Sequence, residues 1–137
     1  MSFRSICPLN SVVEIIGDKW TLLIVRDLFL GKKRFSELIV SKEKIARNIL
    51  TNRLKKLKKF GLIGFKRLAG NKKEKHYFLT NKGLEIYPTI IQMMIWGDKN
   101  VPESTGNLGQ KILKNYKLKG PEKIINDFKN KSIPIDS

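Results

Sequence analysis

The sequence has very little of the residue chemistry on which metal sites and catalytic triads depend. Its 137 residues include one cysteine, Cys7, and one histidine, His76. A single cysteine cannot form a disulfide within the chain, and one cysteine with one histidine cannot supply a zinc cluster. One histidine still permits a minimal catalytic pair, but His76 lies in a strand pattern beside basic residues, and no GxSxG turn is present. The sequence therefore predicts no catalytic site, no metal and no cofactor.

Long apolar runs are also missing. The longest, residues 22–30, is interrupted by Arg26 and Asp27, and it is far shorter than the roughly 18 residues that a membrane span needs. The first ten residues contain no long apolar segment of the kind found in signal peptides. We therefore expect a cytoplasmic protein.

Acidic residues are scarce, and the basic excess is concentrated in one part of the chain. The sequence has 28 Lys and Arg against 12 Asp and Glu, a formal net charge of +16. Residues 32–75 contain 16 of these cations and only three of the acids. Lysine-rich codon usage would explain the number of lysines, but it explains their segregation poorly. A basic block of this kind indicates a polyanionic partner.

The hydrophobic pattern predicts a mainly α fold with a small β-hairpin (α+β). We expect helices over residues 9–16, 19–30, 35–39 and 46–60, then strands over 62–68 and 76–80, and a helix over 82–96 that Pro88 kinks. Two weaker helical patterns follow, at 108–116 and 122–128. This order predicts a winged helix-turn-helix domain over residues 1–99 and a C-terminal helical extension over 100–137.

The predicted helix over residues 46–60 has two different faces. Leu50, Leu54 and Leu57 share one face, as expected for packing against a core. The opposite face carries small polar residues first and lysines later. Asn and Thr can read base edges in the major groove, whereas lysines neutralise phosphates. A membrane-surface helix would not need the small polar residues. An ordinary solvated helix explains this pattern equally well on its own, but the basic block and the hairpin favour DNA.

Two arginines of this helix have different predicted roles. Arg47 lies beside the exposed face and can reach a base or a phosphate. Arg53 points toward the core, so we predict that it pairs with an acid such as Glu37 or caps a backbone carbonyl.

Several motifs together resemble one known family, the HxlR-type winged helix-turn-helix transcriptional regulators of bacteria and archaea. The motifs occur in the family's order and spacing over about residues 7–97. They are Cys-Pro at 7–8, IGDKWTLLIVRDL at 16–28, RFSEL at 34–38, IARNILTNRLKKL at 45–57, GLI at 61–63, YFLTNKG at 77–83 and WG at 96–97.

The resemblance implies a homodimer in which the first helix and the last helix of the domain form the interface. A two-fold dimer predicts a palindromic operator with half-sites about 34–36 Å apart. The predicted interface residues are Leu9, Val12, Val13, Ile16, Tyr87, Ile90, Ile91, Met94 and Trp96.

The resemblance also assigns the surfaces that contact double-stranded DNA. The recognition helix enters the major groove, and the wing at residues 69–75 follows the backbone or the minor groove. Many relatives carry prolines in this turn, where the present chain carries lysines. The predicted base-reading residues are Arg47, Asn48, Thr51 and Asn52. The predicted backbone contacts are Lys32, Lys33, Arg34, Lys55, Lys59, Lys72, Lys73 and Lys75.

Regulation is the part of the function that the sequence leaves open. Some relatives use an N-terminal cysteine to sense oxidants or electrophiles, so Cys7 is either such a sensor or an unreactive interface residue. Trp96 either packs in the core or lines an effector pocket. Repression is the usual outcome in the family, and we expect it here. The alternative is a winged helix that binds another protein without sequence-specific DNA binding.

Overall fold

The structure, a computed structural model, describes residues 2–131, apart from the side chains of Asn71, Lys72 and Lys131. It has the predicted mainly helical architecture with one antiparallel hairpin, and the described residues form two compact units that are divided after Thr80. The elements are α1 (Pro8–Ile16), α2 (Thr21–Phe29), α3 (Phe35–Leu38), α4 (Arg47–Lys59), β1 (Ile63–Leu68), β2 (Asn71–Leu79), α5 (Asn81–Leu84), α6 (Tyr87–Asn100), α7 (Asn107–Lys119) and α8 (Pro121–Lys131).

The first unit has an apolar core to which α1, α2, α3, α4 and the hairpin all contribute. Leu50 and Leu57 of α4 are fully buried, as the leucine stripe predicts. Gly31 and Gly61 end α2 and α4 with positive φ angles of 99° and 77°, a conformation that costs glycine little. The remaining buried apolar residues of this unit are Ile16, Ile24, Val25, Leu28, Phe29, Leu38, Ile45, Leu54, Leu62, Ile63 and Leu79.

The hairpin is longer than the sequence predicts. β1 and β2 pair antiparallel with Phe65 opposite Tyr77 and Arg67 opposite Lys75, and an irregularity follows Arg67. We predicted a polar turn over residues 69–75, but β2 already begins at Asn71. That prediction was wrong because cross-strand pairing outweighs the low strand propensity of the lysine-rich segment.

The second unit corrects the prediction of one kinked helix over residues 82–96. The structure has two helices there, α5 and α6, separated by Glu85 and Ile86. Pro88 lies in the first turn of α6, where its missing N–H has no helical acceptor to lose. It therefore starts a helix instead of bending one, and α6 continues beyond Gly97.

Helix α8 packs on α5 and α6 within the second unit. Ile91 of α6 and Ile124 of α8 are both buried. The rings of Tyr87 and Phe128 lie 6.0 Å apart at a tilt of 57°, a favourable edge-on arrangement. In the described part of the chain, no helix is long and apolar enough to cross a membrane.

A charged hydrogen-bond cluster at Asp18 joins the start of α2 to α4. Asp18 Oδ2 accepts the backbone N–H groups of Trp20 at 3.1 Å and Thr21 at 3.3 Å, which caps α2, and Oδ1 accepts the Thr21 hydroxyl. Arg53 Nε of α4 donates to Asp18 Oδ2 at 2.7 Å. Arg53 thus pairs with an acid as predicted, although the acid is Asp18 and not Glu37. Burial alone would raise the pKa of Asp18, but the bonds from Thr21, Arg53 and Trp20 outweigh it and lower this pKa to about 2.

The depressed pKa of Asp18 predicts a defined acid sensitivity. Its ionised form stabilises the folded protein fully above the ordinary pKa of 3.8, and this contribution is lost as the pH falls to about 2. The loss amounts to about 2 kcal/mol. Asp18→Asn keeps a capping side chain but removes the charge. We expect the free energy of unfolding of the wild type to exceed that of the variant most above pH 4, with the difference shrinking toward pH 2. Urea unfolding followed by circular dichroism across this range measures it, and a difference independent of pH would contradict the assignment.

Candidate nucleic-acid interface

Contacts on the apolar side of α4 hold this helix to the rest of the first unit. Besides the Arg53–Asp18 pair, the ammonium of Lys56 donates to the backbone oxygen of Glu14 in α1 at 2.9 Å. These two bonds and the buried leucines fix the helix in position. The opposite side of α4 is consequently directed to solvent. Its exposed residues are mostly small and polar at the start of the helix and lysines toward its end.

The turn between α3 and α4 is held by a second ionic cluster. Arg26 of α2 donates to both carboxylate oxygens of Glu43 at 2.9 Å and also contacts Asp27 at 3.0 Å. The hydrogen bonds with Arg26 lower the pKa of Glu43. Lys32 lies 3.5 Å from buried Asp27 and donates to the carbonyl of Val40 at 2.8 Å. Bidentate geometry restricts orientation as well as distance, so this cluster ties the segment between α3 and α4 to α2.

The hairpin is attached to the segment that precedes α3. The N–H of Tyr77 donates to the carbonyl of Lys33 at 2.8 Å, and Arg34 forms an isolated bridge with His76. The guanidinium of Arg34 also pairs with Glu74 at 2.9 Å. Glu37 in turn accepts the backbone N–H groups of Lys33 and Arg34. The wing is therefore bonded to the same segment that begins α3.

Between α3, α4 and the hairpin lies a cleft of about 780 Å³, which we call the wing cleft. Its described lining combines six cationic side chains with one carboxylate, that of Glu74. The cleft thus offers an anion a concave surface with a strong positive excess. The lining residues are Arg34, Phe35, Ser36, Ile39, Arg47, Thr51, Leu54, Lys55, Lys58, Phe65, Lys73, Glu74, Lys75 and Tyr77.

The four predicted base-reading residues are all exposed but fall into two groups. Arg47 and Thr51 line the wing cleft, and the Arg47 guanidinium lies 5.0 Å from the centre of the Phe35 ring. Asn48 and Asn52 lie on α4 outside this lining. The side-chain oxygen of Asn52 accepts a bond of 2.7 Å from Arg53. The exposed face of α4 therefore has a side toward the wing and a side away from it.

The predicted backbone contacts are similarly divided. Arg34, Lys55, Lys73 and Lys75 line the wing cleft. Lys33 and Lys59 are exposed outside it. Lys32 is occupied by the cluster at the α3–α4 turn. The side chain of Lys72 lies outside the described residues.

Sequence reasoning missed three residues of this surface: Lys58, Phe65 and Arg67. Lys58, Arg67 and Lys75 each place their charge near the face of the Phe65 ring, at 5.4, 5.5 and 4.6 Å from its centre. A helical projection puts Lys58 on the same side of α4 as Thr51, so the signal was present for this residue. The role of Phe65 could not be seen before the register of the hairpin was known.

The residues predicted for a dimer interface differ in exposure. On α1, Leu9, Val12 and Val13 are exposed and Ile16 is buried. On α6, Trp96 is 64% exposed and Met94 is half-buried, whereas Tyr87, Ile90 and Ile91 are buried within the chain itself. Cys7 is exposed at the N-cap of α1. The guanidinium of nearby Arg4 is bonded to Asn10 and Glu14.

This arrangement of a helix-turn-helix followed by an antiparallel hairpin defines a winged helix-turn-helix protein. A family model described as HxlR-like helix-turn-helix matches residues 15–105. The chain belongs to this family of transcriptional regulators.

Similarities to individual proteins, in sequence and in structure, are consistent with this family assignment. An uncharacterized HTH-type transcriptional regulator of Mycobacterium tuberculosis, MT3179, is 34% identical over 94 residues, which are 69% of this chain but only 59% of that protein. Among solved structures, the candidate transcription factor PA1607 has a TM-score of 0.68 at 32% identity, covering 75% of this chain and 72% of the other. The reduced form of the regulator YodB from Bacillus subtilis has a TM-score of 0.60 at 28% identity, covering 74% and 100%. YodB also has a quinone-bound structure.

Proposed function

We propose that this protein is a sequence-specific regulator that binds double-stranded DNA, with α4 in the major groove and the wing on the backbone or in the minor groove. The observation that carries the proposal is the wing cleft, where six cations face one carboxylate beside the exposed face of α4. A DNA strand crossing from one groove to the next presents phosphates at this place.

The bonding of α4 supports base reading as well as affinity. A helix that reads bases must be held rigidly, because a small displacement breaks the short bonds to base edges. The pairs Arg53–Asp18 and Lys56–Glu14 supply this rigidity from the side of α4 opposite to its exposed face. Asn48 and Arg47 at the start of the helix then face outward, at the end that helix-turn-helix proteins direct toward bases.

A protein-binding winged helix without sequence-specific DNA binding is the competing function. Acidic wings would favour it, whereas the described part of this wing places two lysines, Lys73 and Lys75, and one acid, Glu74, in the cleft. The DNA-binding proposal includes three further points. The protein represses transcription, it acts in the cytoplasm, and its residues 1–99 both bind DNA and dimerise.

Dimerisation is the second part of the proposal. The exposed apolar residues of α1, with Met93 and Trp96 of α6, form surfaces that a second copy of the chain would cover. A two-fold dimer places two copies of α4 on successive turns of a palindromic operator.

Control through Cys7 is the third part. The thiol is exposed at the start of α1, the helix that we assign to the dimer interface. A covalent adduct there changes the size and polarity of a group beside that interface. YodB, which binds a quinone in one of its structures, gives the chemical class of effector to test.

Base reading is tested with one double variant of α4 and one single variant of β2. Gel shifts use the upstream region of the protein's own gene and an unrelated duplex, each at two salt concentrations. We expect Asn48→Ala with Asn52→Ala to reduce discrimination between the duplexes by about 30-fold or more, because each of the two base contacts contributes about 1–3 kcal/mol. Lys73→Ala, as the matched control, should weaken both duplexes alike. Unchanged discrimination in the asparagine variant would show that these residues do not read bases, and absence of duplex binding by the wild type would refute the proposed function.

The dimer is tested by placing charges on α1. We expect the wild type to sediment at twice the mass of the chain, and Leu9→Glu with Val12→Glu to sediment as a monomer, since burying two carboxylates opposes association. Leu118→Glu changes an apolar residue of α7 that lies outside the proposed interface and is about as exposed as Leu9, and it should leave the dimer intact. A dimer that persists in the α1 variant would exclude this interface.

The role of Cys7 is tested with a quinone that adds to thiolates. We expect one adduct per chain by mass spectrometry and a loss of operator binding in the wild type, with neither change in Cys7→Ser. If the adduct forms and DNA binding is unaffected, Cys7 is reactive but does not regulate.

A further inference from the structure

In the described part of the chain, cations from α4, β1 and β2 meet at one place, the ring of Phe65. The Lys75 ammonium lies 4.6 Å from its centre, that of Lys58 5.4 Å, and the Arg67 guanidinium carbon 5.5 Å. All three distances are within the roughly 6 Å at which a cation is attracted by the face of an aromatic ring. We call Lys58, Arg67 and Lys75 the ring cations.

The register of the hairpin explains why these groups converge. Phe65 and Arg67 are two residues apart on β1 and therefore point to the same face of the sheet. Lys75 lies directly opposite Arg67 on β2, so it shares that face, and Tyr77 lies opposite Phe65 with its ring 5.9 Å away. Lys58 reaches the same ring from α4. Through these three basic side chains, the Phe65 ring connects α4 to both strands of the hairpin.

This convergence has an electrostatic cost when no anion is present. Because each charge lies within 5.5 Å of one point, any two lie within about 11 Å of each other, a distance comparable to the screening length of about 10 Å in 0.1 M salt. Lys58 and Lys75 form no ion pair with any described carboxylate. Glu74, the acid of the cleft, pairs with Arg34. The ring partly offsets the repulsion, and a bound phosphate would reduce it further.

We propose that Phe65 is a positioning residue that gathers the ring cations into one phosphate-binding cluster, which grips the DNA backbone where it crosses from α4 to the wing. This inference rests on the DNA-binding function proposed above. Phe65 contributes no charge itself. It holds two flexible lysines and one arginine near the phosphate path before DNA arrives, so less side-chain entropy is lost on binding.

The first test compares aromatic and aliphatic residues at this position. Phe65→Leu keeps an apolar side chain but removes the ring face. We expect it to weaken every duplex alike by about three- to tenfold, and to flatten the log–log salt slope by about one, as when one phosphate contact is lost. Phe65→Tyr should restore both values. The matched control is Phe78→Leu on the opposite face of the same hairpin, where the ring packs over Gly64. This change should lower the melting temperature without altering the slope.

The second test asks whether Phe65 acts through the cations. In a background of Lys58→Gln, Arg67→Gln and Lys75→Gln, we expect Phe65→Leu to have an additional effect below about twofold, because the groups it positions are gone. A full additional loss in that background, or an unchanged salt slope in the single variant, would overturn the inference. A wild type that binds no duplex would instead refute the DNA-binding function, so the two failures are distinguishable.

Discussion

The bond between Asp18 and Arg53 is the interaction on which the rest of this structure depends. One carboxylate caps α2 through the N–H groups of Trp20 and Thr21 and simultaneously receives Arg53 from α4. The start of one helix and the middle of another are therefore fixed to a single point. With Leu50 and Leu57 buried on the same side, α4 has only one face left for solvent. A charge-assisted bond in partly buried surroundings is strong enough to determine that orientation.

The basic residues serve two purposes that composition alone cannot separate. Arg26, Lys32 and Arg53 are bonded to carboxylates, and these bonds hold the helices and the α3–α4 turn in place. Others, such as Lys55 and Lys58, line the wing cleft. The first group gives the surface its shape, and the second gives it its charge. A net charge of +16 therefore overstates the number of cations that an anionic partner can meet.

Sequence periodicity predicted the parts of the fold that local chemistry determines. The leucine stripe placed α4 correctly, because burial leaves a direct trace in the sequence. Pro88 was misjudged, since the same residue either kinks a helix or begins one. The start of β2 and the cluster around Phe65 depend on pairing between strands. The distant partners that decide such pairing cannot be found from spacing along the chain.

The C-terminal helices change how α6 can take part in a dimer. The sequence suggests a broad apolar face on this helix for a partner, but Tyr87 meets Phe128 of α8, and Ile91 is fully buried. Apolar area that α8 already covers adds nothing to association until α8 is displaced, and displacement would expose Ile124 as well. A partner of α6 is thus left with its outer side, where Met93 and Trp96 remain exposed. Of the other residues in the proposed interface, Leu9, Val12 and Val13 of α1 are also exposed.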